Sequence, residues 1–220
     1  PFATYLQKDY PEIESTLRIM DSNENLFEVG DKKIKEPSGI YAEPGVVEMF
    51  SLDLLDGDAK TMLEKPATII LKKTLAEKYF GNEDPIGKTI KISKEDYTVT
   101  GVFADLPQHF HLKINYIFSF TTLTRNFAAQ RYENWQFQQF GTYIKLKPGA
   151  SSEELEAKLP DFAARYAHPK TKPEGLSYIP HLQSIRDIHL HSSDFQWDSA
   201  QRGNAQSVYI LMIAGTLILI

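Results

Sequence analysis

The 220-residue chain contains no cysteine, which excludes a disulfide framework and thiolate chemistry. That lack does not fix a compartment, because a cysteine-free chain suits the periplasm and the cytosol alike. Positive charge is also in short supply. Twenty-four Lys and Arg stand against 29 Asp and Glu, giving a formal net charge of −5 and a pI near 5.7. No basic patch stands out, which argues against a nucleic-acid partner. There is no G-x-S-x-G nucleophile elbow and no H-E-x-x-H pair. The opening residues, PFATYLQKDYPEIE, lack both the basic and the apolar stretch of a secretory signal. What is present is an ordinary globular composition, 42% hydrophobic and 24% charged, in a chain long enough to bury a core.

The stretch GNEDPIGKT, residues 81–89, superficially matches a phosphate-binding loop. A Walker A loop reads G-x-x-x-x-G-K-[ST], follows a buried strand and opens a helix. Here five residues separate Gly81 from Gly87 where the loop needs four; Glu83 and Asp84 would repel a phosphate, and Pro85 removes an N–H donor. The flanks are inverted as well. TLAEKYF before Gly81 reads as a helix, with Thr74 and Glu77 at capping-box spacing and Gly81 as its stop. KTIKI after it alternates as a strand. Helix–turn–strand is a turn, not a nucleotide site.

Elsewhere the pattern predicts a short helical turn near Thr4–Tyr10, then a strand carrying Ile13, Leu17 and Ile19. A hairpin follows around Gly30-Asp31, with a strand to Ala42, a short helix at Val46, Val47 and Phe50, and a buried strand ATIIL. After KTIKI come a polar turn over residues 93–96 and the strand YTVTGVF. Alternation over residues 110–120 predicts one strand, with Phe110, Leu112, Ile114, Tyr116, Phe118 and Phe120 on one face. The aromatics around Trp135 (Tyr132, Phe137) serve either the core or a contact surface, with core packing the commoner use. FGTYIKLK reads as a strand closed by Pro148-Gly149. Ser151 and Glu154 cap a helix whose stripe is Leu155, Leu159, Phe162 and Tyr166, with a kink expected at Pro160. A Pro/Lys-rich loop at residues 168–174 precedes two strands, LSYIPHL and DIHLHS. Strands and helices without strict βαβ alternation indicate an α+β fold.

The last fourteen residues, SVYILMIAGTLILI, carry no charge. As a helix they would span about 21 Å, short of the roughly 30 Å hydrocarbon core. They are apolar on every face, which favours the head of a membrane helix over a buried terminal helix. On that reading the chain is a segment of a longer protein. His109/His111 and His189/His191 form two H-x-H pairs that could serve zinc if their strands were neighbours and a carboxylate joined them. The plainer reading places them on the polar side of half-buried strands.

Five pieces occur in order: AEPGVVEMFSLDLLDGD, TIILKKTLAEKYFGNEDPIGKTI, YTVTGVFADLP, HLKINYIFSF and LQSIRDIHLHS. Together they resemble the MacB-like periplasmic core domain of ABC-transporter permeases of the FtsX/MacB type, with L-A-x-x-x-F-G-x-x-x-P-x-G-K-x-I as the most specific part. Phe110 and the Lys72-Lys73 pair depart from the usual pattern. The resemblance implies a porter-like α+β lobe, residues 1–58 and 124–206, with a strand-rich Sabre-like insert at residues 59–123 and the start of a transmembrane helix at residues 207–220. It implies an inner-membrane protein with this domain on the periplasmic side and no catalytic, cofactor or metal residue in it. The implied partners are a cytoplasmic ATP-binding cassette subunit, a second permease copy, a periplasmic adaptor and the membrane through flanking helices. The implied role is to carry ATP-driven motion across the membrane for export. The competing readings are a soluble metal-dependent enzyme using the histidine pairs and an extracytoplasmic sensor domain.

Overall fold

A computed structural model of the chain describes residues 1–126, 134–136 and 139–188. Residues 1–106 and 114–181 form one compact unit, and residues 107–113 belong with residues 182 onward to a second. In the second unit, the described residues make local turns: Phe110 N donates to Pro107 O at 2.9 Å, and Asp187 N to Ser184 O at 2.9 Å.

The main unit opens with helix α1 (Phe2–Asp9), then strands β1 (Ile13–Val29) and β2 (Lys32–Ala42). Val29 pairs directly with Lys32, so Gly30-Asp31 is the hairpin turn that the sequence indicates, with Gly30 in the left-handed region at φ 54°. Helix α2 (Val46–Phe50) leads to β3 (Leu54–Gly57), β4 (Thr68–Lys72), α3 (Lys73–Phe80), β5 (Thr89–Ile92), β6 (Glu95–Phe103) and β7 (Tyr116–Ser119). Helix α4 (Phe120–Asn126), β8 (Gly141–Leu146), α5 (Ser152–Glu156) and α6 (Leu159–Phe162) follow. A π-helical turn (Ala163–Ala167), α7 (His168–Thr171) and a 3₁₀ turn (Lys172–Glu174) close the described helices.

Among the described residues, all eight strands share one mixed sheet. Its pairings close on themselves, because β1 meets β2 along one edge and β5 along the other. From β2 the circuit continues through β7, β4, β6 and β5 and so returns to β1. β3 hangs on β6, and β8 extends the sheet from residues 13–19 of β1. The circuit encloses a core of Phe27, Ile69, Leu71, Ile90, Val99 and Phe118, among others, which α3 covers with Leu75, Ala76 and Tyr79. Each large apolar side chain fully buried here contributes about 1.5–3 kcal/mol.

A single strand can serve three neighbours only if it bends. β1 does so at register shifts between Asp21 and Asn25, where Asn23 is left-handed at φ 57°, and Ser38 on β2 is left-handed too, at φ 64°. Tyr116 fills the bend. Its hydroxyl donates to Glu36 O at 2.8 Å and accepts from Asn25 Nδ2 at 3.1 Å. Its ring lies where Gly39 has no side chain: a Cβ there would come within 2.0 Å of Tyr116 Cε2.

Several sequence expectations are corrected. Residues 110–120 do not form one strand; only Tyr116–Ser119 does, and all four residues are buried because β7 lies between β2 and β4. Alternation needs one wet face, and a central strand has none. Thr74 does not cap α3. Its hydroxyl donates to Asp105 Oδ1 at 2.9 Å, and the N-cap is Lys72, without a side-chain bond. The β5–β6 turn is tighter than residues 93–96, because Ile92 already pairs with Glu95 around Ser93 and Lys94, both at positive φ. Residues 168–174 are helical rather than a loop; Pro169 and Pro173 each sit in the first turn of a new short piece, where a missing N–H is harmless. Pro160 likewise opens α6 after a turn at Ala157-Lys158 instead of kinking one long helix. LSYIPHL is not a strand. It finds no ladder, and its backbone is held singly, as by Leu176 N to Thr171 O and His168 Nε2 to Tyr178 O. For DIHLHS, Asp187 and Ile188 are not in a strand, and the rest lies outside the described residues. The Ser151 cap holds, accepting from Glu154 N at 3.2 Å, although its hydroxyl turns to Glu153.

Gly39→Ala should lower stability by about 1–3 kcal/mol through overpacking against Tyr116. Gly45→Ala, where a Cβ meets nothing within 4 Å, should stay within about 0.5 kcal/mol of the parent. Urea unfolding midpoints at unchanged slope decide it, and equal midpoints for the two variants would refute the close-packing account.

Candidate functional site

The Gly81–Thr89 segment is built as the turn its flanks require. Gly81 caps α3 at φ 62°, its N–H donating to Glu77 O at 2.8 Å. Asp84 Oδ1 accepts from Ile86 N at 2.9 Å, and Gly87, at φ 77°, donates to Val99 O at 2.8 Å. Lys88, the residue a phosphate loop would turn toward its ligand, is paired with Glu83 and lies over the Phe80 ring at 5.1 Å. Backbone donors that a phosphate would need are already committed, Ile86 N to Asp84, Gly87 N to Val99 O and Lys88 N to Pro85 O.

His109 and His111 do not share a strand face. His109 is exposed and His111 is 9% exposed, in a stretch with no extended ladder. His189 and His191 lie outside the described residues. Among the described residues, no three His, Asp or Glu side chains converge as a metal site. An open cleft of about 440 Å³ is lined by Thr4, Gln7, Lys8, Thr16, Arg18 and Glu43. Four of its polar side chains engage one another. Arg18 Nε and Nη2 donate to Glu43 Oε1 at 3.0 and 2.6 Å, its guanidinium lies 4.8 Å from the Phe120 ring, and Thr16 donates to Gln7 at 3.0 Å. The cleft couples no nucleophile to a base. What it does is fasten β1 to the β2–α2 connection.

The more elaborate construction is a clasp on α1. Phe2 packs edge-on against Trp135 at 5.0 Å and near Phe162 and Tyr178; Tyr5 meets Tyr166 at 4.6 Å. At the end of α1, Asp9 accepts from Arg165 at 3.0 Å and from Tyr166 at 2.7 Å, and beyond it Glu12 accepts from Lys158 at 2.6 Å. Trp135, 2% exposed, thus packs in the core. Tyr132 and Phe137 lie outside the described residues. A second clasp joins the β1–β2 hairpin to α3. The buried Glu36 carboxylate accepts from Tyr79 Oη at 2.6 Å and Lys78 Nζ at 2.5 Å. Burial, then the bond to Glu36, push the Tyr79 hydroxyl well above its ordinary range. Sequence reading missed both clasps. Their hydrogen-bonded partners lie 42 to 157 residues apart, and no local spacing signals them.

The model of the MacB-like periplasmic core domain matches residues 2–162, most of the chain. The chain belongs to that family. This MacB-like domain is also similar in structure to a domain described as that of a permease protein from Porphyromonas gingivalis, with TM-score 0.65 and 25% identity over 74% of this chain and 75% of that one. It shares its fold with the periplasmic region of MacB from Actinobacillus actinomycetemcomitans (TM-score 0.58, 17% identity, 80% and 82% covered). It also shares it with the extracellular domain of the ABC-type transporter YknZ from Gram-positive bacteria (0.53, 14%, 80% and 84%). No curated protein matches the chain in sequence. The α+β class is as the sequence indicates. The family is one of transporter periplasmic domains, not of enzymes; it implies a membrane protein with an ATPase partner. No helix among the described residues is long and apolar enough to cross a membrane, and residues 207–220 lie outside them.

Two outcomes are expected. Millimolar Mg-ATP should leave the melting temperature of the MacB-like domain unchanged; a rise above about 2 °C, roughly 1 kcal/mol of binding, would revive the phosphate-loop reading. The hydrogen bond from Lys158 holds the Glu12 carboxyl below its ordinary 4.5, so its contribution is present above that value and lost as pH falls through the lower, folded one. Lys158→Met should therefore flatten the fall of melting temperature below pH 4.5. Parallel melting curves for variant and parent through that window would show that the pair does not matter.

Proposed function

We propose that this domain is the lever of an ABC-type exporter. It takes up motion delivered by membrane helices, driven by ATP hydrolysis on a cytoplasmic cassette, and passes it to a substrate or partner in the periplasm. The observation that carries this reading is the family match over residues 2–162. The α1 clasp gives it a mechanical route. A helix at the head of the domain is fixed by rings and charges to the helical segment after β8, and β1 leads directly from it into the strand circuit. Force travels through packed elements with few alternative arrangements, and such a helix cannot slide without breaking Asp9 from Arg165 and Tyr166. The permease acts as two copies with their cassettes, an adaptor joins on the periplasmic side, and flanking helices, including residues 207–220, anchor the domain in the inner membrane.

A division into a porter-like lobe (residues 1–58 and 124–206) and a Sabre-like insert (residues 59–123) belongs to the same proposal. Ladders at Phe27–Ile92 and Gly39–Tyr116 join the two parts. Coupling, not chemistry, is then what a mutation in this domain should damage.

In the full-length permease reconstituted with its ATPase, Asp9→Ala should reduce export about tenfold, a coupling change near 1.4 kcal/mol, with ATP hydrolysis nearly intact. Equal loss of both activities in a normally expressed variant, or loss of neither, would overturn the lever reading.

A further inference from the structure

We propose that the tip of the β1–β2 hairpin, residues 24–36, is a strap that unlatches from β5 and α3 as a unit while the rest of the strand circuit stays paired. The circuit is weakest where the strap closes it. β1 meets β5 through two residue pairs, Phe27–Ile92 and Glu28–Lys91. The other joints have at least three, as between β4 and β7, and up to nine, as between β1 and β2. Opening one joint of a ring leaves every other ladder intact, so the shortest joint is the one that opens.

The strap is also articulated at its base. Between Asp21 and Asn25 the β1–β2 register shifts twice, and the left-handed residues Asn23 and Ser38 interrupt both strands. Side chains bridge that gap where ladder bonds are missing. Asn25 Nδ2 donates to Ser22 O at 3.0 Å and to Tyr116 Oη at 3.1 Å.

Besides the backbone bond from Ser93 N to Leu26 O at 3.0 Å, two side-chain fasteners hold the strap down. Phe27 is an apolar peg, stacked on Tyr79 at 5.7 Å and against Tyr116 at 4.7 Å. Glu36 is a polar catch whose side chain is 6% exposed and which is gripped by Lys78 and Tyr79; Lys32 Nζ reinforces it by donating to Lys78 O at 2.6 Å. A partly lifted strap would leave the Glu36 carboxylate buried without its cation, a costlier state than either closed or fully hydrated. The catch therefore favours all-or-none release. The strap's outer face carries exposed Glu24, Asp31, Lys33 and Lys35, which are equally at home in water in either position. Release would uncover the β5 backbone edge and the Phe27 seat.

Hydrogen exchange read by mass spectrometry on the whole chain tests this. Amides of residues 26–29 and 32–36 should exchange at least about tenfold faster than those of β4 and β6, because they open locally. Tyr79→Phe, which removes one hydroxyl from the catch, should speed the strap about another tenfold and leave β4 and β6 unchanged. An oxidised Glu28→Cys/Lys91→Cys pair, placed at directly opposed positions, should slow the strap alone, and reduction should restore its exchange. Exchange of the strap at the same rate as β4 and β6, equal acceleration of all segments by Tyr79→Phe, or indifference to the disulfide would each overturn the proposal. Should Glu36→Gln fold, it should act like Tyr79→Phe.

Discussion

One strand, β1, has to satisfy three neighbours, and the rest of the architecture follows from that requirement. Its first residues align with β8, its far end with β5, and nearly its whole length from Ile19 with β2. A straight ribbon cannot do this. The double interruption at Asp21–Asn25 turns the hairpin over the core, and Gly39 and Tyr116 make the turn tight. Glycine is required at 39 because the Tyr116 ring already occupies the space of a side chain. Backbone groups that lose ladder partners at the bend recover them from Tyr116 and Asn25, so the bend carries no large burden of unsatisfied polar atoms.

Polar residues in this domain act mostly as fasteners between distant segments. Arg18 with Glu43, Asp9 with Arg165 and Tyr166, and Glu36 with Lys78 and Tyr79 each join pieces that sequence separates by 25 or more residues. Exposed ion pairs are worth little individually, but pairs seated beside rings and buried edges fix orientation. A catalytic site places charges so that they remain available to a substrate. These charges are consumed by one another, as the lever role proposed above requires. The same holds for Lys88, which a nucleotide site would leave free and which here closes the Gly81–Thr89 turn through Glu83.

Membership of the MacB-like family agrees with this economy. The family match ends at residue 162, close to the point where the helical segment packs on α1. The structural relatives at 14–25% identity keep the fold while most side chains differ.

Much of the local structure was legible in the residues themselves. The Gly30-Asp31 hairpin, the stop at Gly81, the Ser151 cap and the failure of GNEDPIGKT as a phosphate loop all depend on neighbours within a few positions, where propensity and steric limits act directly. So did the order of elements that identifies the family. Where a strand's partners lie far along the chain, periodicity misled. Residues 110–120 alternate cleanly, yet only four of them find ladders, and LSYIPHL finds none. Pairing is decided by loop closure and by which edges remain open once the core has formed, and neither is written in any short window. The closure of the circuit at Phe27, the Glu36 catch and the clasp on α1 belong to the tertiary structure alone, because each joins groups far apart in sequence that only the completed fold brings together.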